Sequence, residues 1–217
     1  MSSTSTRVLS ALVIVPVLGA VIWFAPPLVL RAVILLVAFI AIREMCALVR
    51  GTAMQIVAAV FWIVIPLMLL GEIRDHQGPH LVVELAAILI VSDSAQYFAG
   101  RAFGRHKLAP SISPSKTIEG ALGGLIAAPI AAVLVGRLLG LAPAIDGFLA
   151  GTAALAAAAG MIGDLFESYL KRRAGVKDSG RLIPGHGGLL DRVDGLVATL
   201  VVVALVRLLV GGDWPWA

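Results

Sequence analysis

The chain has 217 residues, of which 59% are hydrophobic and only 14% are charged, and its mean hydropathy is +0.99. A soluble globular domain is about 45–50% apolar and about 25% charged, so this composition excludes an ordinary soluble protein. The formal net charge is a modest +4, and no nucleic acid partner is expected. The single cysteine, Cys46, excludes an internal disulfide and a cysteine-based zinc site.

Apolar segments of membrane-spanning length recur along most of the chain, without the alternation of polar and apolar residues that β-barrel strands show. We therefore predict an all-α polytopic membrane protein with about seven transmembrane helices. In chain order the predicted spans are Val8–Phe24, Leu28–Ile42, Ile56–Leu70, Leu81–Ala99, Ile118–Gly140, Phe148–Leu165 and Val193–Val210. Pro26-Pro27 should break the first two helices into a hairpin, because proline does not continue a helix.

The whole chain, 1–217, is interpreted as a single integral membrane domain, with N-terminal helices over 8–80 and the chemistry-bearing helices and loops over 81–217. If seven helices alternate from a cytoplasmic N-terminus, most of the 17 Lys and Arg residues fall on the cytoplasmic side. The positive-inside rule then predicts an N-in, C-out topology. We expect a multi-pass protein of the inner (plasma) membrane, with the loops Gly100–Thr117 and Phe166–Arg192 in the cytoplasm.

Asp164 lies at the predicted cytoplasmic end of an apolar helix. A carboxylate well inside a bilayer costs roughly 2.5–3.5 kcal/mol, which a metal ion or an ion pair would offset. An interfacial side chain that reaches water is an equally good explanation. If the helix continues, Asp164, Glu167 and Lys171 share one face, because their spacing is i, i+3, i+7.

Asp191 and Asp194 open the last predicted helix, where ordinary capping alone can explain acidic residues. Gly187 and Gly188 before them and Arg192 between them favour a phosphate site, since glycine lets backbone N–H groups approach an anion. Carboxylates beside an anion site imply a bridging cation. Mg2+ fits best, because it binds one or two carboxylates together with substrate phosphates.

Basic residues in the same loop would neutralise phosphates, although a polybasic loop attracted to anionic lipid is the alternative. These residues are Lys171, Arg172, Lys177 and Arg192. Lys177 is adjacent to Asp178, which indicates an ion pair. His186 is a candidate for phosphate contact or proton transfer, and a hydrogen bond that shapes the glycine turn is an equal alternative.

The other long loop contains Ser113-Pro114-Ser115-Lys116-Thr117 and then Glu119. Hydroxyls and one cation at a helix start suit a phosphate or nucleotide contact, and a plain N-cap by Thr117 or Ser115 is the alternative. Asp93 lies in an otherwise apolar helix beside Ser92, Ser94 and Gln96. An ionisable residue in such a helix is a functional hypothesis by default.

A dozen positions of the second loop resemble the signature of the phosphatidate cytidylyltransferases, also called CDP-diacylglycerol synthases. They are Ser168, Lys171, Arg172, Lys177, Asp178, Pro184, His186, Gly187, Gly188, Asp191, Arg192 and Asp194. Gly163-Asp164 and the upstream stretch from Asp93 to Gly120 also look like motifs of that family. The resemblance covers roughly Val91 to Gly195. Ser115 stands where a lysine is common, Ile118 where tryptophan is common, and Gln96 where alanine is frequent.

The resemblance implies transfer of a cytidylyl group from CTP to phosphatidic acid, with release of pyrophosphate, by a Mg2+-dependent and often dimeric enzyme that contacts membrane lipids. It makes Asp164 and Asp191 metal ligands and raises K+ as a second ion. The implied catalytic residues are Asp164, Asp191, Lys171, Asp194 and His186. The implied substrate-binding residues are Asp93, Ser113, Lys116, Thr117, Glu119, Ser168, Arg172, Lys177, Asp178, Gly187, Gly188 and Arg192.

Three other functional classes are weighed against this hypothesis. A membrane enzyme acting on another lipid phosphate, or a CTP-dependent lipid kinase, would keep the basic loops and the metal. An ion-coupled transporter could use Asp93 and Asp164, but would show repeated halves with broken helices, and none is seen. An inactive scaffold would lack a metal carboxylate, and none is missing at the matched positions.

Overall fold

The computed structural model describes residues 3–183 and 187–210, and this part of the chain is largely helical. The helices are α1 (Ser3–Phe24), α2 (Pro27–Leu48), α3 (Thr52–Ala59), α4 (Ile65–Gln77), α5 (Pro79–Phe103), α6 (Ile118–Leu138), α7 (Asp146–Arg173) and α8 (Leu190–Leu209). A π-helical turn, Val60–Val64, joins α3 to α4, and a 3₁₀ turn, Pro143–Ile145, precedes α7. Two short strands, β1 (Lys107–Ala109) and β2 (Ser113–Thr117), pair as an antiparallel hairpin.

Helical structure covers all seven predicted spans nearly to their limits, and the break at Pro26-Pro27 is confirmed. The largest difference is at α7, which continues to Arg173 and shortens the predicted loop Phe166–Arg192. It ends where Gly175 adopts a positive φ of 74°, with Val176 N–H donating to the Lys171 carbonyl at 2.9 Å. This is a Schellman stop, which requires the left-handed conformation that glycine adopts without strain.

The other predicted loop, Gly100–Thr117, is also shorter and more ordered than expected. Helix α5 runs on to Phe103, and the hairpin occupies most of the remainder. The sequence analysis predicted a loop here without a β-hairpin in it. The pairing aligns Lys107 with Thr117 and Ala109 with Ser113, so the hairpin ends directly at the start of α6.

Four helical segments in the described part of the chain are long and apolar enough to cross a membrane: Thr52–Gln77, Pro79–Phe103, Ile118–Leu138 and Pro143–Arg173. Their outer faces expose large apolar side chains, among them Phe61, Ile126, Ile130, Leu134 and Ile162. A soluble monomer rarely exposes so continuous an apolar surface. The chain is thus a helical membrane protein, whereas seven crossings and an N-in topology remain predictions.

Buried apolar residues form three clusters rather than one. The first joins α2 and α4 to the start of α8, the second joins α4, α5 and α8, and the third joins α5, α6 and α7. The second cluster joins the predicted N-terminal helices (8–80) to the predicted chemistry-bearing region (81–217), since Ile73 packs with Leu81, Leu85 and Leu200. Helix α8 therefore links the N-terminal helices to the rest of the described chain.

Small residues bring neighbouring helices close together. A Cβ at Gly163 of α7 would lie 2.7 Å from both the Ala198 Cβ and the Asp194 carbonyl oxygen of α8. A Cβ at Gly124 of α6 would lie 2.5 Å from Gln96 Cγ of α5. Where apolar helices meet in lipid, such close backbone approach supplies much of the van der Waals attraction.

Polar contacts at the end of the bundle away from the hairpin join α4 to α2 and to the α1–α2 turn. Arg31 Nη2 of α2 lies 2.7 Å from Asp75 Oδ2 of α4, and Arg74 donates to the Ala25 carbonyl in the α1–α2 turn at 2.7 Å. At the hairpin end, Arg172 Nε donates to the Ile112 carbonyl at 3.2 Å. The two chemically rich loops therefore lie at the same end of the molecule, as predicted.

We expect Gly163→Ala to lower stability by about 1–3 kcal/mol, because the added methyl group overpacks the α7–α8 contact. Thermal unfolding of the purified protein in detergent, followed by circular dichroism, measures the change. Gly151→Ala in the same helix is the matched control, because nothing lies within 4 Å of its Cβ position. Equal melting temperatures for the two variants would contradict the close packing.

Candidate functional site

The last turns of α7 present polar side chains on one face, as their spacing predicted. Glu167 is fully buried, and the side chains of Asp164 and Lys171 are 41% and 11% exposed. Ser168 Oγ donates to Asp164 Oδ1 at 3.3 Å, and Lys171 Nζ lies 3.5 Å from Glu167 Oε1. Because α7 extends beyond the predicted span, these groups are held on a rigid helix rather than on a loop.

Lys171 also joins α7 to the start of α8. Its Nζ lies 2.7 Å from Asp191 Oδ1, and the Asp191 side chain is only 4% exposed. Backbone N–H groups of Ser179 and Gly188 donate to Asp191 Oδ2 at 3.0 and 2.8 Å. Burial favours the neutral acid, but these donors outweigh it and hold the pKa of Asp191 below its ordinary value.

Further carboxylates surround this ion pair. Asp93 of α5, Asp164 of α7 and Asp194 of α8 are close enough to repel one another. The buried carboxyl of Glu167 lies beside the carboxyl of Asp194. Asp194 Oδ1 also accepts a hydrogen bond from the Gly195 N–H at 2.8 Å. Neighbouring carboxylates are unfavourable unless protons or cations balance them, so this cluster is suited to bind positive charge.

A cleft of about 510 Å³ opens between α5, α6, the hairpin and α7. Lys116 of β2 crosses it, with Nζ 2.5 Å from Asp164 Oδ2. Asp93 lies on the α5 wall and accepts from Gln96 Nε2 at 3.1 Å. The cleft is lined by Asp93, Gln96, Tyr97, Gly100, Arg101, Leu108, Ser115, Lys116, Thr117, Gly120, Ala121 and Asp164. Its polar lining thus combines carboxylates with the cations Lys116 and Arg101.

Two predicted substrate residues of the hairpin region make structural contacts. Thr117 Oγ1 caps α6 by accepting from the Gly120 N–H at 3.1 Å. Glu119 accepts from the backbone N–H groups of Arg105 and His106 and lies 2.7 Å from His106 Nδ1. These contacts fix the chain on both sides of the hairpin. Ser113, a third predicted substrate residue, is half-buried and lies within β2. Substrate binding by these residues remains a prediction.

Several predicted residues do not line the cleft. Lys177 and Asp178 are exposed, and among the ion pairs of the described residues none joins them, contrary to expectation. Arg192 points outward from α8, while Arg172 holds the Ile112 carbonyl. Gly187 adopts a positive φ of 85°. Pro184 and His186 lie outside the described residues.

Sequence reasoning missed Glu44 at the end of α2. Its carboxylate accepts hydrogen bonds from Ser179 Oγ, Leu189 N–H and Leu190 N–H at 3.1, 3.1 and 2.7 Å. The available signal was a carboxylate just beyond a predicted apolar span. Nothing in the local pattern indicated a partner more than 130 residues away.

The two carboxylates predicted to bind a metal ion differ in how accessible they are. Among residues 3–183 and 187–210, no group of three or more His, Cys, Asp and Glu side chains forms a metal site from protein ligands alone. Mg2+ usually keeps waters and substrate phosphates as ligands, so one or two carboxylates suffice. Asp164 fits because it opens on the cleft, whereas both oxygens of Asp191 are engaged by protein donors.

Comparisons with known proteins agree with the geometry. The model of the cytidylyltransferase family matches residues 51–210. Uncharacterized protein YnbB of Escherichia coli (strain K12) is 44% identical over 136 residues, which are 63% of this chain and 45% of that protein. Phosphatidate cytidylyltransferase of Brucella suis biovar 1 (strain 1330) is 51% identical over 124 residues, 57% of this chain and 45% of that protein.

A phosphatidate cytidylyltransferase of Staphylococcus saprophyticus is 38% identical over 148 residues, 68% of this chain and 56% of that protein. The chain therefore spans about half the length of the curated relatives it matches. The matched region contains the cleft, the carboxylate cluster and the Lys171–Asp191 ion pair. Because the family model matches most of the chain, the protein belongs to the cytidylyltransferase family.

Proposed function

We propose that the protein transfers the cytidylyl group of CTP to phosphatidic acid, giving CDP-diacylglycerol and pyrophosphate. The observation that carries the proposal is the ion pair between Lys116 Nζ and Asp164 Oδ2, 2.5 Å apart. It joins two sequence motifs almost 50 residues apart in one cleft. The family match and the names of the relatives support the same reaction.

The reaction needs no serine or cysteine nucleophile. A phosphate oxygen of the lipid attacks the α-phosphorus of CTP, and the bond from that phosphorus to the bridging oxygen of the β-phosphate breaks. Both electrons of the broken bond leave with pyrophosphate. Catalysis of such a transfer rests on positioning and on stabilising charge on the phosphate oxygens.

The residues of the cleft are assigned as follows. Lys116 and Arg101 contact phosphate oxygens, and Lys171 holds Asp191 in place. Asp164, which opens on the cleft, is the carboxylate proposed to hold Mg2+. The family resemblance adds Asp191 as a second ligand, and one of its oxygens would have to leave its protein donors to bind the ion. When bound, Mg2+ would neutralise and polarise the phosphates. The family resemblance also suggests K+ as a second ion, and we assign no residues to it.

The proposed setting is the inner membrane, with the cleft facing the cytoplasm and seven helices crossing from a cytoplasmic N-terminus. Membrane lipids would surround the exposed apolar faces, and a homodimer is expected from the family resemblance. A cleft at the membrane surface would admit a water-soluble nucleotide and a lipid phosphate together. Cross-linking in native membranes tests the dimer.

The position of a label in CTP tests the reaction directly. With phosphatidic acid and Mg2+, we expect label from the α-phosphate to enter the lipid and label from the γ-phosphate to leave as pyrophosphate. A CTP-dependent lipid kinase would instead transfer the γ-label. Thin-layer chromatography of the lipid and phosphate products separates the two outcomes. Absence of α-label from every lipid phosphate offered would refute the proposal.

Asp164→Asn and Asp191→Asn should each abolish nearly all CDP-diacylglycerol formation, because each removes a carboxylate proposed to hold the metal. EDTA should abolish the parent activity, and excess Mg2+ should restore it. Glu72→Gln is the control, since this exposed side chain lies away from the cleft and pairs with His76 one turn along α4. Full activity in both aspartate variants would refute the metal assignment while leaving the reaction intact.

Topology can be tested with single cysteines in a Cys46→Ser background. Ser111 in the hairpin turn and Ala142 after α6 are exposed and lie at opposite ends of that helix. In intact cells we expect a membrane-impermeant maleimide to label Ala142→Cys directly, and Ser111→Cys only after permeabilisation. The reverse pattern would show the opposite orientation.

A further inference from the structure

Glu44 connects α2 to both ends of the segment 179–190, which lies within the family signature. It lies before residue 51, where the match of the family model begins. One carboxylate oxygen accepts from the Leu189 N–H at 3.1 Å, and the other accepts from the Leu190 N–H at 2.7 Å and from Ser179 Oγ at 3.1 Å. One side chain therefore holds both ends of the segment 179–190.

Two of these bonds replace the missing cap of α8. The first N–H groups of a helix lack partners within the helix, and Leu189 at the N-cap position supplies no side-chain acceptor. Glu44 supplies that acceptor from another helix, with a negative charge at the positive end of the α8 dipole. The start of α8 is thus located by α2 rather than by its own sequence.

The third bond links Glu44 to the ion pair at the site. Ser179 donates its hydroxyl to Glu44 and its backbone N–H to Asp191. Asp191 in turn contacts Lys171 and accepts from the Gly188 N–H. If Glu44 were lost, Ser179 and the start of α8 would lose a shared support, and the position of Asp191 would change with them.

Two glycines pack directly against this carboxylate. The three atoms nearest to a Cβ at Gly180 all belong to Glu44, with its Cδ 2.9 Å and its Cγ 3.3 Å away. A Cβ at Gly188 would lie 2.5 Å from Glu44 Oε2. A methyl group at position 180 would therefore displace the Glu44 carboxylate while every atom of Glu44 remains present.

We propose that Glu44 is a positioning residue for the cytidylyl transfer, acting through Ser179 and the N-terminus of α8 to hold Asp191 on Lys171. The effect of Glu44 on the rate of cytidylyl transfer rests on the proposed function. The conformational part, that Glu44 fixes Ser179 and the start of α8 at Leu189 and Leu190, is independent of the reaction.

The test compares Glu44→Gln and Gly180→Ala with the parent and with Glu72→Gln as control. Glutamine keeps the size of the side chain but turns an N–H group toward N–H donors. Hydrogen–deuterium exchange at the Leu189 and Leu190 amides should be about tenfold faster or more in both variants, because their hydrogen bonds to the charged Glu44 are lost. Exchange at the Ser179 amide, which donates to Asp191, should also become faster as the two residues move apart. The kcat for CDP-diacylglycerol should fall about 10- to 100-fold, as for other residues that orient site ligands.

Further measurements separate positioning from stability. The KM for CTP should change less than kcat, because the residues placed on the cleft are untouched. The double variant should be no slower than the worse single variant, since both changes displace the same carboxylate. Glu44→Asp, which keeps both oxygens on a shorter side chain, should recover part of the lost kcat.

Unchanged exchange at the three amides in both variants would overturn the proposal, whatever the activity. A lower melting temperature with the parent kcat in the folded protein would also overturn it, because that result assigns Glu44 a purely stabilising role. If the parent itself forms no CDP-diacylglycerol, the proposed function fails, and the exchange data still decide whether Glu44 orders the segment.

Discussion

The ion pair between Lys171 and Asp191 is the interaction on which the site depends. The two side chains are 11% and 4% exposed, at the end of an apolar helix bundle. Removing one partner from a buried pair leaves an uncompensated charge and costs roughly 3–5 kcal/mol. The surrounding donors reflect this constraint, since Ser179 and Gly188 direct backbone N–H groups at the same carboxylate. The pair also locks α7 to α8.

Charge is distributed unevenly along the bundle. Ion pairs such as Arg31–Asp75 and Arg137–Asp146 close one end with matched charges. The other end gathers Asp93, Asp164, Glu167, Asp191 and Asp194, which outnumber the cations Lys116 and Lys171 paired with them. An excess of carboxylates beside a cleft is costly until protons, a metal ion or added cations balance it. The proposed site therefore lies at the end with unbalanced negative charge, and the charges at the opposite end are paired.

Close helix packing gives the cleft its shape. Glycines on α6 bring its backbone against α5, and Gly163 does the same between α7 and α8. The cleft walls are thus held by backbone contacts, while Arg172 ties the hairpin to α7 through the Ile112 carbonyl. Polar side chains carried by rigid helices keep their positions better than those on loops. Phosphoryl-type transfers, which rely on positioning, benefit from that arrangement.

The sequence by itself determined the membrane class, the positions of the helices and the shared face of Asp164, Glu167 and Lys171. These properties follow from local composition and periodicity, which can be read from each segment without knowing what it packs against. It also specified the family signature, and with it the residue types of the site. Helix ends were less well predicted, because the stop after α7 depends on the backbone conformation at Gly175.

Only the tertiary structure decided which charges meet. Lys116 faces Asp164, Lys171 faces Asp191, and Glu44 reaches the start of α8 across 146 positions of sequence. No periodicity encodes such pairings, since they arise from how whole helices pack. For the same reason the sequence analysis predicted the same role, that of a metal ligand, for Asp164 and Asp191. The fold separates them, because it leaves the first open to the cleft and encloses the second among donors.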